Sequence, residues 1–169
     1  MKGRPSCPTS YSPWLRNGAV TSPTTAVMTS SERLKRRLKG AHTSKRRDVQ
    51  IRKHFRFEAA HVLPYHQGKC ARLHGHSYRL EVAIRGPLQT EGPARGMIED
   101  FDTVRATVRR EILDVLDHAS LNDLIDNPTC ERIAAWIWEK LRSALPGLDE
   151  LVLWETATSC AVLARSDFP

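Results

Sequence analysis

An α+β domain is what the sequence predicts, on three observations. Apolar side chains alternate at period two near residues 51–86 and again near 150–165, they recur every three or four residues between 101 and 144, and the strand-like and helix-like segments come in blocks rather than in βαβ alternation. The implied order is ββααββ, with an antiparallel sheet.

The first strand covers residues 51–60, with Phe55, Phe57 and Ala59 on one face. The second covers 77–86, with Tyr78, Leu80, Val82 and Ile84 on one face and Gly86-Pro87 ending it. Between them lies a loop holding Pro64, Gly68 and Cys70. The first helix covers 101–116, its stripe made by Phe101, Val104, Val108, Ile112, Val115 and Leu116, with Asp100 or Asp102 at its N-terminus. The second covers 130–144, with Ile133, Trp136, Ile137 and Leu141 buried, Thr129 as N-cap, Glu131 in its first turn and Pro146-Gly147 as its stop. Residues 150–155 and 159–165 return to period two as a hairpin. Four antiparallel strands with two helices on one face leave the other face and both sheet edges to be covered. Closed oligomers do this by joining edges, so self-association is expected.

The chain has 169 residues, 40% of them hydrophobic, which is sufficient for a packed core. No stretch approaches the roughly 20 apolar residues of a spanning helix, so an integral membrane protein is not expected. The formal net charge of +7 invites a nucleic-acid reading. Its distribution argues otherwise: residues 1–50 carry net +9, and residues 51–169 carry net −2. The first 50 residues, rich in Ser, Thr and Pro and lacking a sustained apolar period, read as a disordered basic extension, with residues 51–169 as the folded domain. The extension lacks the apolar core of a secretory signal, although its Arg, Ser and Thr content resembles an organellar transit peptide. Contact with nucleic acid or an anionic surface also stays open for it. None of the cysteines, Cys7, Cys70, Cys130 and Cys160, forms a CxxC pair or a disulfide framework, so free thiols in the reducing cytoplasm are expected.

The sharpest local feature is Cys70-Ala-Arg-Leu-His74-Gly-His76. Period-two geometry puts both imidazoles on one side of the strand, and antiparallel pairing brings His61, at the end of the preceding strand, close to them. Three neutral imidazoles around one cation, with a fourth position open, is the arrangement of a catalytic zinc site; nickel and iron also accept imidazole, and zinc is the default. Gly75 removes bulk between the histidines. His42, His54 and His66 have no such partners, His66 being the nearest competitor. Cys70 could close the site as a fourth ligand, act as a nucleophile or base in its thiolate form, or be an inert buried thiol. Asp117-His118 at the end of the first helix suits either acid/base work or a helix cap with a surface ion pair. Glu155, in Trp-Glu-Thr, either faces solvent or holds an amidine-like edge bidentately.

Five segments in this order carry a resemblance: Phe55-Arg-Phe-Glu-Ala-Ala-His61, Cys70 to His76, Leu116-Asp-His118 with Leu121-Asn-Asp123, Asn127-Pro-Thr-Cys-Glu131 and Trp154-Glu-Thr156. Residues 51–165 resemble the 6-pyruvoyl- and 6-carboxy-tetrahydropterin synthase family. The Cys-x-x-x-His-Gly-His spacing resembles the 6-carboxy branch, which acts in queuosine (7-deazaguanine) biosynthesis; the 6-pyruvoyl branch typically has a longer spacing. The resemblance implies a tunnelling fold whose ββααββ subunits close into a barrel within a trimer or hexamer. It implies zinc on His61, His74 and His76, with Cys70 as catalytic thiol and Asp117 and His118 as an acid/base pair presented from a neighbouring subunit. Glu155 then anchors the guanidine-like edge of a pterin, with Thr129 a further contact. The implied reaction converts 7,8-dihydroneopterin triphosphate to 6-carboxy-5,6,7,8-tetrahydropterin, acetaldehyde and triphosphate, without an organic cofactor. Arg56, Lys69 and Arg72 are candidates for the triphosphate. The alternatives are the sister elimination to 6-pyruvoyl-tetrahydropterin, and a non-enzymatic zinc module with an RNA-binding tail. The sequence departs from the pattern in a short loop of eight residues between His61 and Cys70, in Cys130 where Ser or Thr is usual, and in the extension.

Overall fold

The computed structural model describes residues 29–31 and 48–168. The chain divides into two units, Met1–Thr43 and Ser44–Pro169, and the second holds the sheet and its helices. The basic extension expected over residues 1–50 falls almost entirely outside the described residues.

Two long strands dominate. β1 (Val49–His61) and β2 (His74–Gly86) pair antiparallel over their whole lengths, from Val49 opposite Gly86 to His61 opposite His74. Both therefore run further than their apolar alternation indicates. β2 begins at His74, inside the segment expected to precede it, because residues 59–61 of β1 offer it a continuous partner. Glycine at position 75 eases this close pairing: a Cβ there would lie 3.2 Å from the Ala59 carbonyl oxygen, tighter than an ordinary contact.

A helical segment follows, made of α1 (Phe101–Val108), a π-helical stretch Arg109–Leu113 and the short α2 (Asp114–Leu116). It is not the uninterrupted helix that the spacing over 101–116 predicts. Val104, Val108, Ile112 and Leu116 are all buried and are spaced by four. Four residues of a 3.6-residue helix overshoot a full turn by about 40°, so this stripe would wind off the sheet. The wider i→i+5 turn takes up the drift and returns Ile112 and Leu116 to the core. Phe101 and Val115, placed in the stripe from sequence, are 48% and 39% exposed. Asp100 is the N-cap, its carboxylate accepting from the Asp102 amide at 2.7 Å.

β3 (Ala119–Ser120) was not foreseen. It pairs parallel to β1 at Ala59 and Ala60, so the sheet is mixed rather than wholly antiparallel. α3 (Cys130–Ala144) has the expected bounds and the Thr129 N-cap, which accepts from the Arg132 amide. Its buried stripe is Ile133, Ala134, Ile137, Trp138 and Leu141. Trp136 is only partly buried and lies under Lys140, whereas Trp138 enters the core and stacks on Phe168 with ring centroids 4.8 Å apart. β4 (Leu148–Trp154) and β5 (Cys160–Ala164) form the expected hairpin.

The five strands lie in the order β3-β1-β2-β4-β5. One face, carrying Phe57, Leu80, Leu151 and Leu153, packs on Val108, Ile112, Ile133 and Ile137 of the helices. Each such buried side chain contributes about 1.5–3 kcal/mol relative to exposure. The opposite face is charged: Arg52 bridges Glu81 and Glu150, the latter at 2.7 Å, and Arg85 pairs with Asp149 at 2.7 Å. Among the described residues, no helix is long and apolar enough to cross a membrane.

Candidate functional site

The core-facing side chains at the paired ends of β1 and β2 are histidines. His61, His74 and His76 have ring centroids 4.5, 5.1 and 5.0 Å apart, and one nitrogen from each lies within 4.8 Å of the others. His61 is fully buried. Its Nδ1 donates to the Pro128 carbonyl at 2.8 Å, and Nδ1 of His74 donates to the Arg72 carbonyl at 2.8 Å. Carbonyl oxygens only accept, so each Nδ1 carries a proton, and in the neutral ring that leaves Nε2 as the lone-pair nitrogen. The two Nε2 atoms face each other at 3.0 Å. That geometry turns both toward one point where a cation could be held. Carbonyls that accept from the far nitrogen of a ligating imidazole are the usual support of such a centre. The three histidines could therefore hold a metal ion, as their spacing predicts. Burial pushes the His76 imidazole down, against the pull of Glu155 and helped by His61 and His74, which favours the neutral ligand form.

These imidazoles open into a cavity of about 560 Å³ whose walls include Cys70, Lys69, Arg72 and Glu155. Cys70 sits in a single 3₁₀ turn, Lys69–Ala71, its carbonyl accepting from the Leu63 amide at 3.0 Å. The thiol lines the cavity but stands outside the imidazole group. Glu155 follows β4, its amide donating to Ser159, and its Oε1 lies 3.8 Å from His61 Nε2 and 4.0 Å from His76 Nε2. Of the cations proposed for an anionic ligand, Lys69 and Arg72 line this cavity. Arg56 does not: it alternates with buried Phe55 and Phe57 and lies on the opposite face of the sheet.

Thr129 and Cys130, at the start of α3, line an adjoining cavity of about 260 Å³ together with Glu131 and Glu155. Glu155 belongs to both cavities and joins them. The Cys130 thiol donates to the Leu153 carbonyl at 3.4 Å, and burial, then the Glu155 charge, pushes it up to about 11. It is a protonated, packed side chain. The Tyr78 hydroxyl is buried near these groups with no hydrogen-bond partner among the described residues, and burial followed by the Glu155 and Cys130 charges pushes it far up.

Asp117 and His118 are together but elsewhere. His118 Nδ1 lies 3.0 Å from Asp117 Oδ1 and is 78% exposed. The Glu58 amide donates to Asp117 at 2.9 Å, and the Glu58 carbonyl accepts from the His118 amide. The Glu58 amide, then His118, holds the Asp117 carboxyl below its usual range. His118 lines a separate trough of about 360 Å³ whose far wall includes Gly75 and His76. Within one chain the dyad and Cys70 do not share a cavity. His66 accepts from the Gly68 amide and takes no part in the cluster, His54 pairs with Glu81 on the charged face, and His42 lies outside the described residues.

The sequence gives no sign of the Pro128 and Arg72 carbonyls behind the imidazoles, since backbone atoms have no residue signature. Nor does it assign a contact to Asn122 of the Leu121-Asn-Asp123 segment, which brackets Val62 with two hydrogen bonds.

Residues 50–166 match the family model described as 6-pyruvoyl tetrahydropterin synthase. The chain is 48% identical over 115 residues to a 6-carboxy-5,6,7,8-tetrahydropterin synthase of Synechocystis sp., covering 66% of this chain and 89% of that one. It is 39% identical to a dihydroneopterin monophosphate aldolase of Pyrococcus furiosus, over 59% of this chain and 82% of the relative. Among solved structures, the 6-pyruvoyl tetrahydropterin synthase of Caenorhabditis elegans superposes with a TM-score of 0.63 at 25% identity, over 72% of this chain and 99% of that one.

Proposed function

The chain belongs to the 6-pyruvoyl tetrahydropterin synthase family, and from that premise we propose that it is a zinc-dependent carbon–carbon lyase of queuosine (7-deazaguanine) biosynthesis. With the uptake of one water, it converts 7,8-dihydroneopterin triphosphate to 6-carboxy-5,6,7,8-tetrahydropterin, acetaldehyde and triphosphate, in the cytoplasm, as a homo-oligomer. The observation that carries this reading is the placement of Cys70 in one cavity with Glu155 and the three imidazoles, two of them oriented by backbone carbonyls.

A zinc ion on His61, His74 and His76 supplies Lewis acidity that lowers the pKa of the substrate's side-chain hydroxyls. Every other role falls to the chain's own residues. Glu155 accepts from the guanidine-like edge of the pterin, an arrangement in which a carboxylate takes two parallel N–H bonds. Thr129 flanks that edge. Lys69 and Arg72 meet the triphosphate. Cys70, as thiolate, moves a proton at the side-chain carbons. Asp117 fixes His118 with Nδ1–H toward the carboxylate, leaving Nε2 to carry the second proton. His118 is exposed and turned away from its own Cys70, which supports its presentation to a neighbouring subunit's cavity. Among the described residues, no strand pairs with the outer edge of β5 or with most of the outer edge of β1, which supports closure of the subunits into a barrel.

The test is product analysis with metal content measured on the same sample. Incubation with dihydroneopterin triphosphate is expected to release acetaldehyde and triphosphate in equal amounts from protein carrying one zinc per chain. A pyruvoyl product without acetaldehyde, or turnover only on a monophosphate substrate, would replace this reading with the chemistry of its sister enzymes.

A further inference from the structure

We propose that Asn122 is a positioning residue, a clasp that holds the metal ligand His61, the thiol-bearing turn at Cys70 and the Asp117–His118 dyad in one register. Its carboxamide acts as a strand residue would. Oδ1 accepts from the Val62 amide at 2.8 Å, and Nδ2 donates to the Val62 carbonyl at 2.9 Å. Val62 is the first residue past β1, where the ladder with β2 has ended, so without Asn122 both of its backbone groups lack a partner among the described residues.

The position matters because of what lies on either side. One residue back is His61, whose Nδ1 must reach the Pro128 carbonyl for Nε2 to face His74. One residue forward is Leu63, whose amide fixes the Cys70 carbonyl. On the other partner, Asn122 closes a run that begins at the dyad. The Glu58 backbone binds Asp117 and the His118 amide, Ala59 and Ala60 pair with Ala119 and Ser120, and Asn122 takes Val62. Residues 117–122 thus lie zipped along 58–62, and Asn122 is the last tooth. Residue 122 is exposed, so truncating its side chain opens no core cavity.

The inference rests on the metal-centre reading of the three histidines, and its test separates the two. Zinc affinity is measured by chelator competition on the full chain for the wild type, Asn122→Ala, Asn122→Asp and, as a local control, Asp123→Ala, with melting of the metal-free and zinc-loaded forms alongside. Removing the support of a ligand shell lowers affinity about tenfold or more, so Asn122→Ala is expected to lose at least that. Asn122→Asp, which keeps the acceptor for the Val62 amide but cannot donate to its carbonyl, falls between, and Asp123→Ala matches the wild type. The zinc-induced rise in melting temperature shrinks in the same order, which a purely structural loss shared by both forms would not produce. Should Asn122→Ala fail to fold, the graded loss in Asn122→Asp still decides. Affinities within twofold of the wild type in the folded Asn122 variants overturn the clasp while leaving the metal centre intact. A wild-type protein that takes up no zinc overturns the metal-centre reading itself.

Discussion

His118 shows what the site asks of a single residue. It follows the end of α2 with φ of +60°, in the left-handed region that helix ends usually give to glycine or asparagine. A histidine there costs on the order of 1 kcal/mol, and two Glu58 backbone bonds hold it in place through the His118 amide and its neighbour Asp117. Strain of this kind is retained where a side chain has a task. Asp117 is charged at a helix C-terminus, the unfavourable end for an anion, yet its carboxyl is held below the ordinary 3.8 by the Glu58 amide and then by His118. A carboxylate whose folded-state pKa is depressed stabilises the fold above its unfolded pKa, and that contribution is lost as the pH falls through the folded-state value. Asp117→Asn is therefore expected to melt below the wild type near neutrality, with the gap closing as the pH drops beneath 3.8. Melting curves from about pH 7 to about pH 3 check this; a gap that persists unchanged into acid would mean that the Asp117 charge contributes nothing to the fold.

At the scale of elements, the sheet carries one unfavourable pairing on its charged face. Arg56 of β1 sits directly opposite Arg79 of β2, and neither is paired with a carboxylate among the described residues; Arg79 rests instead on the Trp154 ring, 4.6 Å from its centroid. Like charges directly opposite are destabilising. Arg56→Thr, which keeps a β-branched strand former, is expected to raise stability by a few tenths of a kcal/mol, more at low salt than at high. Denaturant titrations at two ionic strengths check the sign. Sequence periodicity alone makes this sheet and α3 legible, because burial on one face imposes alternation, and the HxH pair is legible because a strand's period is two. The π-helical turn at Arg109–Leu113 is not, since a spacing of four at residues 104, 108, 112 and 116 fits both an ideal amphipathic helix and one that must widen to stay on the sheet. Nor is the choice between Trp136 and Trp138, which depends on Phe168 arriving from the far end of the chain. The face of Arg56 is legible in the sequence: strand parity, with Phe55 and Phe57 buried on either side, puts it across the sheet from the imidazoles.

For the whole molecule, the two groups of proposed site residues lie apart within one chain. The imidazoles, Cys70 and Glu155 line one cavity, while His118, paired with Asp117, lines a trough that reaches His76 from elsewhere. Among the described residues, β5 ends the sheet with Val162 54% exposed and β3 covers β1 only at Ala59 and Ala60; under the proposed function these edges are where a second copy brings the two together. If each working site takes its thiol from one subunit and its acid/base pair from another, two inactive proteins can rescue each other. Cys70→Ala and His118→Ala should each abolish turnover as pure oligomers. When they are denatured together in equal amounts and refolded, a site is complete wherever a His118→Ala subunit supplies Cys70 and a Cys70→Ala subunit supplies His118. Random assembly makes that true of roughly a quarter of the sites, and activity should return to about that fraction of the wild type. Mixing without denaturation, with subunits unable to exchange, should return nothing. Absence of recovery in refolded, correctly sized mixed oligomers would place both groups in the same subunit's site and refute the shared-site architecture.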